Sequence, residues 1–175
     1  MFKFNPSLEW IKQSAETESN YEISAGATRM SLPIKVKKLS DNAVMPIRAT
    51  SGAGGYDLTA ATETVRNELT GPVVEYDTQL CFEIPAGHIG LVLPRSSVTT
   101  KTTLVLGNSI GLIDSDYRGS VKFQFRNVNS AGKKYKVGDR IGQIVILPIP
   151  AVTFVEVEEL SETERGTGGF GSTDK

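Results

Sequence analysis

The side chains best suited to chemistry are concentrated in a short polar segment, residues 111–119. It reads Gly-Leu-Ile-Asp-Ser-Asp-Tyr-Arg-Gly, so two carboxylates, a phenol and a guanidinium stand between glycines, with Asp114 at the centre. Strand-like apolar runs at Leu104–Leu106 and Val121–Phe125 flank the segment and place it at the tip or bend of a β-hairpin. For this segment alone, a solvated turn is the more common structure.

A second segment has the composition of an anion-binding loop. Arg95, Ser96 and Ser97 follow an apolar run, and Lys101 comes a few residues later. Guanidinium, hydroxyl, ammonium and free backbone N–H groups together suit a phosphate chain. A solvated loop is the alternative, but we favour anion binding because the segment directly follows a buried strand.

Two further polar segments interrupt the strands. Asp57 begins a strand after a pair of glycines, where a tight turn is the more common structure. Asp139 and Arg140 precede another strand, and we expect them to form a simple salt bridge within their turn. Gln143 projects from that apolar strand, so it must find a partner if it is buried.

The last polar segment is the glycine-rich tail from Arg165 to Thr173. Such tails are usually disordered, but an isolated arginine and phenylalanine, together with hydroxyls, offer ionic, stacking and hydrogen-bonding contacts to a ligand.

Short β-strands must position these segments. Strand-like runs alternate with Gly and Pro turns at close spacings, which leaves little room for long helices and predicts an all-β sandwich, jelly roll or barrel. The expected strands lie near Ile34–Leu39, Tyr56–Ala60, Val73–Phe82, Gly90–Leu93, Leu104–Leu106, Val121–Asn127, Ile141–Leu147 and Phe154–Leu160.

Composition limits the function further. A chain of 175 residues is long enough for one core. Its 19 Lys and Arg residues nearly balance its 20 Asp and Glu residues, so no overall charge attracts the protein to nucleic acid or to a membrane. One cysteine, Cys81, and one histidine, His88, exclude a His/Cys metal site, so any divalent ion needs oxygen ligands. We find no signal peptide or membrane-spanning run and expect a cytoplasmic protein, in the host compartment if it is viral.

Residues 1–30 differ in character from the rest. Asn5 and Pro6 could start a short helix whose apolar side chains share one face. Docking on the main body and a mobile arm that binds a protein partner are both open interpretations. We therefore divide the chain into this extension, a β core over 31–160 and the tail over 161–175.

Together the five polar segments resemble, in order and spacing, the five motifs of the trimeric dUTP pyrophosphatase (dUTPase) family, over residues 34–173. The resemblance implies a distorted, jelly-roll-like β barrel that forms a homotrimer, with each active site built from all three subunits. It also implies hydrolysis of dUTP to dUMP and pyrophosphate with Mg²⁺ bound by the triphosphate. That reaction limits uracil in DNA and supplies dUMP for dTMP synthesis.

The resemblance implies a role for each residue of the nucleoside site. Asp114 would be the general base that activates water for in-line attack on the α-phosphorus, and it would also meet the sugar 3′-hydroxyl. Tyr117 would pack on the deoxyribose and exclude a 2′-hydroxyl, whereas Asp116 would be structural. Asn108 and backbone groups as far as Gly111 would bind the uracil edge.

The resemblance likewise implies the phosphate contacts. Arg95, Ser96, Ser97 and Gln143 would bind the phosphates and stabilise charge on the leaving pyrophosphate. Asp57 would reach Mg²⁺ through a water, with no direct protein ligand.

In the tail, Phe170 would stack on the uracil, and about 40 Å of extended chain after Thr163 would reach a neighbouring subunit. The tail residues expected to close on the phosphates are Arg165, Gly171, Ser172 and Thr173.

The chain departs from the family pattern at Thr102 and Thr103, which replace a position that is often glycine and would stiffen or shift the link to the uracil segment.

Two rival functions are considered beside hydrolysis of dUTP. Deoxycytidine triphosphate deaminases share the fold but carry a catalytic glutamate on the following strand, where this chain has Gln124. A nucleotide-sensing scaffold that uses residues 1–30 as its contact is the other rival.

Overall fold

The computed structural model describes residues 31–68 and 71–169. From Ile34 onward these residues belong to one compact unit. Its strands are β1 (Lys35–Lys38), β2 (Tyr56–Thr59), β3 (Thr62–Glu68), β4 (Gly71–Glu83), β5 (His88–Pro94), β6 (Leu104–Leu106), β7 (Gly111–Ile113), β8 (Ser120–Asn127) and β9 (Arg140–Pro148), with one short helix, α1 (Val98–Lys101).

The strands form two antiparallel sheets. One has the order β1-β4-β8-β6, and β3 pairs with β4 as a fifth strand. The other has the order β2-β9-β5-β7. The long β4 pairs with β3 along residues 71–77 and with β1 along residues 80–83, and a bulge separates Asp77 from Cys81 in its pairing with β8.

The core lies where the two sheets face each other. Along β8, Val121, Phe123 and Phe125 point inward and are buried, whereas the residues between them are exposed, as a period of two requires. Tyr76 and Tyr135 pack edge-to-face on Phe125 with ring centroids 5.9 Å away in both pairs. Burial of each such aromatic ring contributes about 1.5–3 kcal/mol, so this cluster fixes the β8–β9 loop, which carries Tyr135, on the five-stranded sheet.

The all-β, jelly-roll-like prediction is confirmed, and seven of the expected strands correspond to observed ones. Two strands were not predicted. The polar residues of β3 are exposed throughout, so no alternation marks it, and β7 is only three residues long inside a segment interpreted as a turn.

The strand expected over Phe154–Leu160 is wrong for this chain. After β9 the described residues 149–169 contain no strand, and Phe154 is 96% exposed. An extended segment becomes a strand only when its backbone groups pair with a neighbouring strand, and within the described residues this segment pairs with none.

Some predictions fall outside the described residues. These are the helix near Asn5 and Pro6 and the four tail residues Phe170, Gly171, Ser172 and Thr173. Among residues 31–68 and 71–169, no helix has the length and apolar character needed to cross a membrane.

Candidate active site

Asp114 lies directly after β7, on a connection between the two sheets. The predicted hairpin is present in part, because β6 and β8 pair antiparallel with Leu106 opposite Phe125. Between them, however, the chain crosses to the other sheet, where Gly111 of β7 pairs with Val92 of β5. The Asp114 carboxylate is therefore exposed at the end of a paired strand rather than at a free hairpin tip.

A cavity of about 350 Å³, here called the β7 cavity, opens beside Asp114. It brings together four of the residues for which the sequence predicted nucleoside or catalytic roles, namely Asn108, Gly111, Asp114 and Tyr117. Its remaining walls are apolar side chains of β5, β6 and β7 and polar side chains of β8. The mixture of apolar walls with few polar groups suits a nucleoside.

The Tyr117 ring is held in place by the backbone that follows it. Its hydroxyl donates to the Ser120 carbonyl at 3.2 Å, and its ring covers Gly119 so closely that a Cβ there would collide with the phenol. The Ser120 hydroxyl in turn donates a short hydrogen bond to the buried Asp77 carboxylate. Tyr117 therefore presents a fixed ring face to the β7 cavity.

Sequence analysis missed Lys122, which lines the β7 cavity. Its ammonium lies 3.0 Å from Glu75 Oε1 and 3.7 Å from Asp77 Oδ2. The alternation of β8, which places Ser120, Lys122 and Gln124 on one face, was the signal that could have revealed this wall. Gln124 also donates to Glu75, at 2.9 Å.

The charges around Glu75 shift its ionisation. Burial opposes the charged form, but hydrogen bonds from Gln124 and Lys122 and the charges of Lys122 and Arg66 outweigh it, so the pKa of the Glu75 carboxyl lies below its ordinary value. The hydrogen bond to Glu75 is the main reason that the pKa of Lys122 is raised. Both groups are therefore charged at neutral pH.

A second cluster forms around Asp57, the carboxylate predicted to act on a metal through water. Arg140 donates to Asp57 Oδ2 at 2.9 Å, and Arg95 Nε lies 3.4 Å from Asp57 Oδ1. Arg95 also donates to the Arg140 carbonyl at 3.3 Å. The expected turn salt bridge between Asp139 and Arg140 is wrong, because Asp139 instead accepts a hydrogen bond from the Lys136 backbone N–H.

Gln143 lies on β9 between two of the predicted phosphate segments. It pairs with Asp57 of β2 on one side and with Leu93 of β5 on the other. The side chain is half-buried against Gly55, and within the described residues its amide makes no side-chain hydrogen bond. Its hydrogen-bonding groups are thus available to a ligand.

The other predicted phosphate ligands differ in their surroundings. Ser96 is exposed, whereas Ser97 is half-buried at the start of α1, where its carbonyl accepts the Lys101 N–H at 2.9 Å. Arg165 belongs to an exposed turn of the tail and donates to the Gly168 carbonyl at 3.1 Å.

The described residues contain no group of three or more His, Cys, Asp or Glu side chains that could enclose a metal ion. Near the phosphate segments Asp57 offers a single carboxylate, flanked by two guanidiniums. That donor set fits Mg²⁺ only if the ion keeps its waters and takes its other ligands from phosphates, which is a common arrangement for Mg²⁺.

The predicted residues therefore form two separate sets on one chain. Asn108, Gly111, Asp114 and Tyr117 share the β7 cavity, whereas the Asp57 cluster lies by the loop after β5 and contributes no residue to that cavity.

The family model described as dUTPase matches residues 41–174. The mitochondrial deoxyuridine 5′-triphosphate nucleotidohydrolase of Dictyostelium discoideum is 43% identical over 139 residues, which cover 79% of this chain and 75% of that protein. This chain belongs to the dUTPase family.

Solved structures agree with this family. A mutant dUTPase of Staphylococcus bacteriophage 80alpha with dUpNHpp has a TM-score of 0.68 and 31% identity, covering 82% of this chain and 99% of that one. A mutant dUTPase from phage phi11 of S. aureus, whose structure describes a structural Mg(II) ion, has a TM-score of 0.61 and 29% identity, covering 73% of this chain and 98% of that one.

Proposed function

We propose that the protein hydrolyses dUTP to dUMP and pyrophosphate. The observation that carries this proposal is the β7 cavity, which gathers Asn108, Gly111, Asp114 and Tyr117 into one nucleoside-sized site. Membership of the dUTPase family and the dUTP analogue in a similar structure support the same substrate.

Asp114 acts as the general base. It is exposed at the mouth of the cavity, so a water can lie between its carboxylate and the α-phosphorus. The carboxylate orients this water and accepts its proton during in-line attack, and pyrophosphate leaves from the opposite side.

Tyr117 and Asn108 determine which nucleotide binds. Because the Tyr117 ring is fixed by Ser120 and Gly119, it cannot retreat from a ribose 2′-hydroxyl, and UTP is excluded sterically. Asn108 and the adjacent backbone groups bind the uracil edge, and the narrow cavity wall excludes the thymine methyl group.

The Asp57 cluster, together with Ser96, Ser97 and Gln143, binds the triphosphate. Arg95 and Gln143 donate to phosphate oxygens and stabilise the charge that develops on the leaving group. Asp57 would hold Mg²⁺ through a water, and the ion when bound supplies charge neutralisation for the triphosphate.

The catalytic unit is a homotrimer. The nucleoside and phosphate sets do not share a cavity in one chain, so a second chain must bring the complementary set. The exposed apolar segment over residues 152–160 is the kind of surface that oligomers bury. In this arrangement the tail residues Arg165, Phe170, Gly171, Ser172 and Thr173 close over the bound nucleotide.

The test is pyrophosphate release with Mg²⁺ from dUTP, dTTP, dCTP and UTP, for the wild type and for Asp114→Asn. We expect selective hydrolysis of dUTP and a loss of about 100-fold or more in kcat for the variant, the usual contribution of a general base. Asp116→Asn is the matched control, because this neighbouring carboxylate is exposed and does not line the β7 cavity. Full activity of Asp114→Asn would contradict the mechanism.

The same assay separates the rival functions. A deaminase of this fold would need a catalytic carboxylate at the position of Gln124, whose amide instead donates to Glu75. Release of ammonia from dCTP would nevertheless identify a deaminase. Tight binding of dUTP without turnover would identify a nucleotide sensor.

A further inference from the structure

A basic groove of about 570 Å³ lies beside the Asp57 cluster, between the loop after β5 and the β8–β9 loop. One acidic residue, Asp139, faces six cationic residues along its walls. The chain as a whole has a net charge of −1, so this concentration of positive charge is local. The cationic lining residues are Arg95, Lys101, Lys133, Lys134, Lys136 and Arg140.

Three of these six cations have no ion-pair partner among the described carboxylates. The single carboxylate of Asp57 pairs with both Arg95 and Arg140. The Lys134 ammonium lies 3.8 Å from the Glu63 carboxylate. No described carboxylate lies within ion-pair distance of the other three ammonium groups, those of Lys101, Lys133 and Lys136. Like charges held this close together repel one another and favour an anionic ligand between them.

The lysine-bearing loop is attached to the start of β6 through Thr103. The Thr103 N–H donates to the Lys133 carbonyl at 3.0 Å, and its hydroxyl donates to Asn127 Oδ1 at 2.6 Å. The Val128 N–H returns a hydrogen bond to the Thr103 carbonyl at 3.0 Å. Thr103, a departure from the usual family pattern, thereby fixes where Lys133 enters the groove.

A buried phenol lies in the wall of the groove. Tyr135 is 7% exposed, and its hydroxyl makes no hydrogen bond of acceptable geometry within the described chain, although the Ser97 hydroxyl is nearby. Burial raises the pKa of this phenol against smaller opposing effects of Ser97 and Arg95, so it remains a proton donor. A buried donor without a partner costs about 1–3 kcal/mol and calls for an explanation.

We propose that the basic groove binds the terminal, pyrophosphate end of the nucleoside triphosphate, with Lys133 and Lys136 as its additional ligands. This inference rests on the proposed function and extends the phosphate site beyond Arg95 and Ser97. A chain of phosphates carries several negative charges along its length, which matches cations spread along a groove rather than gathered at a point. Thr103 is a positioning residue for this subsite, and the Tyr135 hydroxyl supports Ser97 when the groove is filled.

The test is calorimetric titration of the full chain with inorganic tripolyphosphate, without Mg²⁺, which needs no catalysis. We expect Lys133→Ala/Lys136→Ala to weaken binding roughly tenfold and to reduce its salt dependence, since two charge contacts are lost. Lys37→Ala/Lys38→Ala removes the same charge from the exposed strand β1 and should leave binding unchanged. Equal affinity of both double variants would overturn the proposal, as would displacement of tripolyphosphate by short single-stranded DNA with higher affinity, which would indicate a nucleic-acid surface.

Inhibition of dUTP hydrolysis then locates the subsite. For Lys133→Ala/Lys136→Ala, the inhibition constant of pyrophosphate should rise about tenfold while that of dUMP stays constant. A parallel rise for both products would place the lysines outside the pyrophosphate end and contradict the inference. If the wild type does not hydrolyse dUTP but tripolyphosphate binding depends on the lysines, the proposed function fails while the groove remains an anion site.

Two further variants test the supporting residues. Thr103→Val should weaken tripolyphosphate binding several-fold, and Thr103→Ser, which keeps the hydroxyl, should restore it. Tyr135→Phe should weaken binding without lowering the melting temperature, because its hydroxyl has no partner in the ligand-free protein. Unchanged affinity in Thr103→Val and in Tyr135→Phe would remove both residues from the subsite.

Discussion

Gln143 illustrates how single residues prepare the proposed phosphate site. Its half-buried amide lies against Gly55, where a Cβ would come within 3.0 Å of Gln143 Oε1. The glycine two residues before Asp57 thus leaves the space in which the amide rests. Because the Gln143 side chain can rotate, a Cβ at position 55 should displace its amide without unfolding the protein.

We predict that Gly55→Ala lowers kcat for dUTP by about three- to tenfold, since a displaced Gln143 loses part of its hydrogen bonding to the transition state. The adjacent variant Gly54→Ala is the control, because a Cβ there meets no atom within 4 Å. Steady-state kinetics and thermal melting of both variants check this. A kcat of Gly55→Ala equal to that of Gly54→Ala would show that the amide position does not matter.

The sequence could predict the types of the site residues but not all their contacts. Asp114, Asn108 and Tyr117 are close in the chain, so their shared cavity follows from local motifs. The Arg140–Asp57 hydrogen bond joins residues separated by 83 positions, and sequence analysis paired Arg140 with its neighbour Asp139 instead. Contacts that depend on strand register across a sheet carry no local signal.

At the scale of elements, the outward face of the five-stranded sheet carries an ionic network across β3, β4 and β8. Glu75 Oε2 lies 3.0 Å from Arg66 of β3, and Glu75 Oε1 lies 3.0 Å from Lys122 of β8. Because the carboxylate is nearly buried while both cations are nearly half exposed, solvent screening keeps its contribution modest.

The network predicts a specific acid sensitivity. The pKa of Glu75 is lower in the folded chain than its ordinary value of 4.5, so its contribution to stability is present above that pH and is lost as pH falls through the folded pKa. Glu75→Gln should cost about 1–2 kcal/mol at pH 7, and the deficit should shrink below pH 4.5. Urea unfolding of the wild type and the variant, repeated between pH 3 and pH 7 in steps of about one pH unit, measures this difference in unfolding free energy.

Glu83→Gln is the control for this measurement, because Glu83 pairs with Lys35 in an exposed position on the same sheet. The hydrogen bond from Lys35 also lowers the pKa of the Glu83 carboxyl, but both partners are exposed to water, so we expect only a small deficit relative to the wild type. A constant deficit for Glu75→Gln across the whole pH range would show that the charge of Glu75 does not account for its effect.

Elements differ in how well the sequence predicted them. β8 alternates between buried and exposed residues, because one of its faces is buried, and β9 is largely apolar. Both strands were therefore predicted with nearly correct bounds. The exposed β3 was missed because its strand state depends on pairing with β4, not on its own residues. Residues 154–160 show the reverse case, a strand pattern that pairs with no strand of the described chain.

At the scale of the whole molecule, the separation of the two residue sets is the property with the greatest consequence. If chains share their sites, a site takes Asp114 and Tyr117 from one chain and Asp57, Arg95 and Gln143 from another. A variant that lacks one set then keeps the other intact and can contribute it to a neighbour. A site built within one chain has no such property.

We therefore predict complementation between two inactive variants, Asp114→Asn and Arg95→Ala. When equal amounts are unfolded and refolded together, random closed trimers should contain intact sites at about a quarter of the wild-type number, because each mixed trimer assembles one site from the two undamaged sets. The measurement is dUTP hydrolysis by the mixture, compared with wild type and with each variant refolded alone. Sedimentation of the mixture tests whether it is trimeric. Activity no greater than the sum of the two variants, in a mixture shown to contain mixed trimers, would place the whole site within one chain.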